Sequence, residues 1–384
     1  MNFRTTKLTL LLSLSISFIL SFSLCFAQIN TRTEINIPDI PGYLTLKCDF
    51  HSHTVFSDGE VWPTVRVKEA WQQGLDAIAI TDHIEYQVHK EDIIKNHNRP
   101  FEIAKPKADE LGLILIKGAE ITRDMPPGHF NAIFLQDINP LDTKEWRDAI
   151  KAANGQGAFV FWNHPGWRQP DEIPIWYDEH TELFQNGSFQ GIEIVNEYSY
   201  YPKVYQWALD KKLTIMGDSD VHSPLLMDFD LAHGQHRPIT LVFAKEKSEQ
   251  AIKEALLARR TAVYHNDLLI GEEQFLKPIF EQSIEILNSS VSIKGTGRAT
   301  VQIKNRSDLI FNLVAESNVE EFSVPEELKL YPDKTITFQL KGKSKTISGK
   351  KKFAIPFAVK NLLIAPEKGL PVVLTVEVDF IPEQ

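Results

Sequence analysis

The chain has 384 residues, 43% hydrophobic and 24% charged, with a formal net charge of −10 at pH 7. A chain of that length buries a core without crosslinks, and the balance excludes a wholly disordered, fibrous or polytopic membrane protein. Two cysteines, Cys25 and Cys48, exclude a disulfide framework, and the negative charge argues against a duplex nucleic-acid binder, which needs basic surface to neutralise phosphates. The 12 histidines are unevenly placed: all lie between His51 and His265.

Arg4 and Lys7 precede an apolar run from Leu8 to Phe26, which ends in Cys25-Phe26-Ala27 before the polar Gln28. This pattern predicts a secretory signal peptide over 1–27, cleaved after Ala27. The run is nearly long enough to span a bilayer, so an uncleaved anchor is the rival reading. Cleavage leaves no stable membrane span and directs the chain to the periplasm or the exterior. It removes two basic residues and no acidic ones, moving the charge from −10 to −12. Cys48, then unpaired, reads as a buried strand residue and not a nucleophile. Residues 28–44 read as a polar leader.

From 45 to 265, apolar runs alternate with amphipathic stretches. The strands expected are Leu44 to Phe50, Asp76 to Ile80, Leu113 to Lys117, His129 to Leu135, Ala158 to Trp162, Gly191 to Val195 and Leu213 to Met216. Stretches such as Val61 to Gln73, Thr143 to Asn154 and Pro202 to Lys211 lie between them, the pattern of parallel strands joined by helical crossovers. After the helical pattern Lys247 to Arg260, residues 266–384 alternate as strands separated by turns, which predicts a small β-sandwich. Within it, Lys341 to Lys352 reads as a solvated basic hairpin. Residues 266–384 hold 15 basic and 16 acidic residues, so nearly all the net negative charge lies in the histidine-bearing part.

Ligand-type residues gather where these strands end. The first strand runs into His51-Ser52-His53, whose alternate residues point to one side and can grip one cation, followed by the Asp58-Gly59 turn. Later strand ends carry Thr81-Asp82-His83, Glu120, Asn163-His164-Pro165 and Asp218-Ser219-Asp220-Val221-His222, while His129 opens a strand. Open parallel sheets and barrels bind their ligands at this carboxyl edge. Histidine with carboxylate suits Zn, Mn or Fe.

The order His-x-His, Asp-Gly, Thr-Asp-His, Gly-x-Glu, His, His-Pro and Asp-x-His resembles the polymerase and histidinol phosphatase (PHP) superfamily over about residues 47–222. The resemblance implies a distorted (β/α)7 TIM-like barrel, here followed by the β-domain, and three divalent metal ions. Carried over residue by residue, His51, His53, Glu120 and Asp220 form a first site. Glu120 bridges to a second, held also by His129 and His164. Asp58, His83 and His222 form a third, with Asp58 standing where some members have histidine.

Cations held about 3.5–4 Å apart can clamp a phosphoryl group and turn a bridging water into hydroxide, so hydrolysis needs no protein nucleophile. Asp49, Asp82, Asn163 and Asp218 adjoin the ligands and are expected to fix imidazole tautomers. Arg168 and Arg123 are expected to meet the phosphate, and Trp162, Trp167, Trp176, Tyr177, Tyr198, Tyr200 and Tyr201 are aromatic candidates for stacking a nucleoside or sugar. His233 is a further loop histidine to place. The first reading is a secreted metal-dependent phosphoesterase acting on a small phosphorylated substrate such as a nucleotide, sugar phosphate or lipid headgroup. Amidohydrolase-like cleavage of another bond and a non-catalytic, metal-stabilised binding module are the alternatives.

Overall fold

A computed structural model of the chain describes residues 31–317 and 319–383. The expected signal peptide, with Cys25, lies outside them. The runs of the first region form β1 (Leu44–Asp49), β2 (Ala77–Ile80), β3 (Ile114–Ile121), β4 (Phe130–Ile133), β5 (Phe159–Trp162), β6 (Gly191–Asn196), β7 (Ser199–Tyr200), β8 (Thr214–Asp218), β9 (Ile239–Ala244) and β10 (Thr261–His265). Six of these, β2, β4, β5, β6, β8 and β9, are buried at every position, so apolar residues dominate them on both faces. The helices Pro63–Gln72, Arg99–Leu111, Trp146–Gly155, Asp178–Gln185, Pro202–Lys211 and Glu249–Leu257 lie between them in sequence. Cys48 is fully buried in β1, and burial, reinforced by Asp76, raises its thiol well above the ordinary range.

Strand direction departs from the all-parallel expectation. β1–β2, β2–β3, β5–β6 and β6–β8 are parallel. β4 is antiparallel to both β3 and β5, because the segment between Ile121 and Phe130 is too short for a parallel crossover. Its beginning therefore lies at the edge where its neighbours end, and His129 arrives there from the opposite direction. β9 and β10, which the sequence reading does not name, pair with each other, and β9 pairs antiparallel with β1.

β8 pairs in a ladder only with β6 and meets the other side of the barrel through side chains. Thr240 in β9 accepts from the Gly217 amide at 2.9 Å, and Thr261 in β10 donates to the Ile215 carbonyl at 2.9 Å. A Cβ on Gly217 would stand 2.1 Å from a methyl of Val263, so only glycine permits this approach. The result is the distorted α/β barrel.

The chain continues through a hairpin across residues 265–268 into β11 (Leu268–Gly271), then the helix Glu273–Ser283. There follow β12 (Ile284–Ile286), β13 (Ser290–Lys294), β14 (Arg298–Asn305), β15 (Phe311–Ala315), β16 (Phe322–Ser323), β17 (Glu327–Leu330), β18 (Thr335–Gly342), β19 (Gly349–Ala365) and β20 (Lys368–Ile381). One sheet has the order β12-β14-β18-β16; in the other, β13-β20-β19 continues through β11 into the barrel, and β15 pairs with β19 and β17. Burial alternates along β14 and β20, the mark of strands with one face on a core and one in water. The basic stretch is not a hairpin: β18 and β19 belong to different sheets, so residues 343–348 cross between them.

Residues 34–384 form one compact unit. Its largest apolar cluster runs from Val67, Leu241 and Phe243 of the barrel through Phe275 and Phe280 to Val301, Phe311 and Val378 of the β-domain. No helix among the described residues is long and apolar enough to cross a membrane.

Candidate metal centre

All nine imidazoles and carboxylates predicted as ligands converge at the carboxyl edge of the barrel. Their donor atoms fall into overlapping groups, within 4.8 Å of one another inside each: His53, Asp58, His83 and His222; His51, His53 and Glu120; His51, His164 and Asp220; and His83, Glu120 and His129. Glu120 is the hub. Its Oε2 lies 3.3 Å from Nε2 of both His51 and His53 and 2.8 Å from His83 Nδ1, while Oε1 lies 2.7 Å from His129 Nδ1 and 3.6 Å from His164 Nε2. Asp220 Oδ1 is 3.0 Å from Nε2 of both His51 and His53. Asp58 Oδ1 is 3.4 Å from His83 and 3.3 Å from His222. His53 thus joins Asp58, His83 and His222 as closely as it joins His51.

Backbone geometry delivers these groups. The strand ends are cross-linked where β1 and β8 run out: the Asp220 amide donates to the His51 carbonyl at 2.9 Å and the His53 amide to the Val221 carbonyl at 3.0 Å. A Cβ on Gly59 would stand 2.7 Å from the His53 carbonyl carbon, so glycine lets the Asp58 turn pack against the His53 backbone. His164 and Asp220 adopt left-handed φ of 26° and 51°, conformations that cost non-glycine residues roughly 1–3 kcal/mol and persist where surrounding structure imposes them.

The electrostatics are those of charges removed from water. Burial alone would raise the carboxyls of Glu120 and Asp220; His83, His129 and His51 reverse this at Glu120, and His51 and His53 at Asp220, holding both well below the usual range. Burial opposes the charged form of His83 as well, yet Glu120 and Asp58 push it up to about 11. At His129 burial wins over Glu120 and the pKa falls.

The donor set fits divalent cations on a further observation. His53 Nε2, Asp58 Oδ1 and Asp220 Oδ1 are buried without a hydrogen bond and meet only the opposing charges of the cluster, at 3.0–3.4 Å. Buried carboxylate and imidazole donors held this close without hydrogen bonds suit a cation placed among them.

The four residues expected to orient imidazoles hold the backbone instead. Asp49 accepts from the Ser219 hydroxyl at 2.6 Å and from buried Arg237 at 2.8 Å. Asp82 accepts from the Thr54 amide and hydroxyl and from Ser57, at 2.6, 2.7 and 2.8 Å, securing the loop that carries Asp58. Asn163 accepts from the Asn131 amide, and Asp218 from the Phe50 amide. Short side chains beside a ligand reach the neighbouring strand's amides before they reach its imidazole. Glu193, absent from the sequence reading, does meet an imidazole: its Oε1 is 2.8 Å from His51 Nδ1, and its Oε2 accepts from the His164 amide at 2.6 Å; Thr122 Oγ1 likewise lies 2.6 Å from His83 Nδ1. A lone carboxylate in the otherwise apolar run Gly191–Asn196 was the signal available.

Arg123 does not point to a ligand. Its guanidinium lies 2.7 Å from Glu85 and donates to the carbonyls of Thr143 and Lys144. Arg168 is exposed, with its guanidinium 4.3 Å above the Trp167 ring, and Trp167 in turn lies 4.5 Å from His129 and 5.3 Å from His164. Trp162 is fully buried and stacks on His180 at 3.7 Å; Trp176 packs against Trp162 and Trp207, Tyr177 and Tyr200 bond Gln169 and the Pro366 carbonyl, and Tyr201 is largely covered. Of the aromatic candidates, Trp167 and Tyr198 are the exposed ones. His233 stands in solvent paired with Asp230, outside the clusters.

Known proteins fit this picture. A two-domain protein of Bacteroides vulgatus containing a predicted PHP-like metal-dependent phosphoesterase is 47% identical, with a TM-score of 0.85 over 91% of this chain and 100% of that one. A family model described as an Ig-like domain matches residues 284–375. An uncharacterized protein of Methanocaldococcus jannaschii is 43% identical over 82 residues, 21% of this chain and 36% of that protein; the match spans about a third of that relative. The chain belongs to the two-domain PHP-like family, a barrel of the metal-dependent phosphoesterase type joined to an Ig-like domain.

Proposed function

We propose that this protein is a phosphoesterase in which three divalent cations, drawn from Mn, Fe and Zn, are held by His51, His53, Asp58, His83, Glu120, His129, His164, Asp220 and His222. The observation that carries the reading is the convergence of these nine donors in overlapping groups, with Glu120 as their hub. Bound cations would supply Lewis-acid polarisation of phosphoryl oxygens and of water. The chain's own groups do the rest. Glu120 and Asp220 place negative charge between imidazoles, Glu193 accepts the His51 Nδ1 proton and so presents Nε2 to the centre, and Arg168 on its Trp167 support offers a guanidinium to substrate phosphate. With the signal peptide expected from the sequence, the substrate is a small phosphorylated compound met outside the cytoplasm.

The test is a panel of phosphomonoesters, phosphodiesters and amides assayed with Mn, Fe and Zn beside Glu120→Ala. Phosphoester turnover should vanish on chelation, return with metal, and fall by about 10³-fold or more in the variant, the scale of several kcal/mol of lost transition-state stabilisation. Turnover that persists in demetallated protein refutes metal dependence; turnover of amides alone selects the amidohydrolase reading. Metal-dependent ligand binding without turnover of any compound selects the binding module.

A further inference from the structure

Arg66 lies on the face of the helix Pro63–Gln72 that also carries Val67 and Ala70, and it is 0% exposed. An arginine there is unexpected, because that face otherwise packs apolar side chains. Its guanidinium is directed at the backbone of two candidate ligands: Nε donates to the His53 carbonyl at 3.0 Å and Nη2 to the His222 carbonyl at 2.9 Å. Nη1 donates to the Ser223 carbonyl at 3.1 Å and to Glu69 at 2.8 Å. Glu69 extends the hold by accepting from the Leu225 amide at 3.0 Å.

These contacts fall on one seam. His53 belongs to the segment leaving β1 and His222 to the segment leaving β8, 169 positions apart in sequence by their numbering. The two imidazoles stack at 4.2 Å with 15° between their planes, and both belong to the donor group that includes Asp58 and His83. A planar fork with fixed N–H directions sets the separation and twist of two carbonyls in a way that a flexible ammonium does not. If the residue's task were packing alone, an apolar side chain would serve without removing a guanidinium from water.

We propose that Arg66 is the positioning residue of the Asp58–His83–His222 cation site, clasping the two loops so that His53 and His222 present their donors at a fixed spacing. This rests on the metal-centre reading given under Proposed function. Of the candidate ligands Arg66 touches only the backbone, so its role is read in metal affinity rather than in chemistry.

The experiment is calorimetric titration of the metal-free full chain with Zn²⁺ and, separately, Co²⁺, following the Co²⁺ absorption spectrum. Wild type, Arg66→Met, Arg66→Lys, Asp58→Asn and the Asp58→Asn/Arg66→Met double variant are compared. The Asp58–His83–His222 site should weaken by about 10–100-fold in Arg66→Met, the scale of losing a group that orients a ligand, with a smaller loss at the site that shares His53 and none at the site of His129 and His164. Arg66→Lys should fall between, and Arg66→Met should add only that smaller loss once Asp58→Asn has removed the Asp58–His83–His222 site. Equal weakening at every site, or affinities unchanged from wild type, overturns the proposal. Should Arg66→Met not fold, the decision passes to Arg66→Lys, where unchanged affinities overturn it equally. A wild-type chain that binds neither ion sinks the metal-centre reading itself, an outcome distinct from variants that bind normally.

Discussion

The barrel and the β-domain bury opposite kinds of side chain. Inside the barrel, Asp49, His51, His53, Arg66, Glu120, Glu193 and Arg237 are fully buried, whereas the buried polar residues after 266, among those described, are Ser283, Asn305, Ser307 and Asn361, none of them ionisable. Charge taken out of water is costly unless it is paired or binds a cation, so the barrel accepts a stability cost to keep its cluster of ionisable groups. Among its described residues the β-domain has no such cluster, and strands such as β14 and β20 alternate between core and solvent. The comparison teaches that the apolar cluster shared across the junction supports both halves, while the buried ionisable groups sit in one.

The largest effect that tests this support comes from Phe311→Ala. Phe311 is fully buried in β15, its ring meeting Phe280 edge-on at 5.2 Å. Truncation should cost about 3–5 kcal/mol, measured by urea unfolding. Because the cluster continues into Leu241 and Phe243 of the barrel, barrel and β-domain fluorescence probes should move together. A barrel transition that stays in place while the β-domain melts separately breaks the idea of a shared core.

A smaller effect sharpens the electrostatic side of the contrast. Glu193→Gln keeps the shape but removes the charge facing His51 Nδ1. Metal affinity should fall by up to about 100-fold, about 2.7 kcal/mol, as with other groups that orient a ligand. Equilibrium dialysis against Mn²⁺ checks it, and unaltered affinity would assign Glu193 to packing.

Much of this centre was legible in the sequence because most donors stand at or just beyond a strand's end, marked by neighbours such as Gly59 or Pro165 that interrupt regular structure. Strand direction was less legible. The runs that became β4 and β9 carry no mark of polarity, since burial on both faces erases the period that pairing would otherwise impose. The supporting groups were hardest to read. Glu193 and Arg66 act across 142 and 156 positions, respectively, and Arg123 turns to Glu85, a carboxylate 38 positions before it. Adjacency in sequence suggested Asp49 and Asp218 as imidazole partners, but the next strand supplied closer amides and hydroxyls.

The confinement of histidine to the barrel also separates the two halves by pH. His180, in the helix Asp178–Gln185, is 0% exposed, its Nε2 donates to the Pro127 carbonyl at 2.7 Å, and its Nδ1 accepts from the Tyr177 amide at 3.0 Å. That pair of bonds requires the neutral ring, and burial lowers its pKa from 6.5 to about 4. The unfolded chain takes up the proton first, so this residue's contribution is complete above pH 6.5 and is lost as the pH falls toward 4. At pH 5 the loss is about 2 kcal/mol. Metal-free His180→Asn should start less stable at pH 7 yet lose about 2 kcal/mol less than wild type on moving to pH 5. Residues 266–384, with no histidine, add nothing in that window through imidazole titration. Equal pH slopes in the two proteins would detach the barrel's acid sensitivity from His180 and leave the clustered imidazoles around Glu120 as its source.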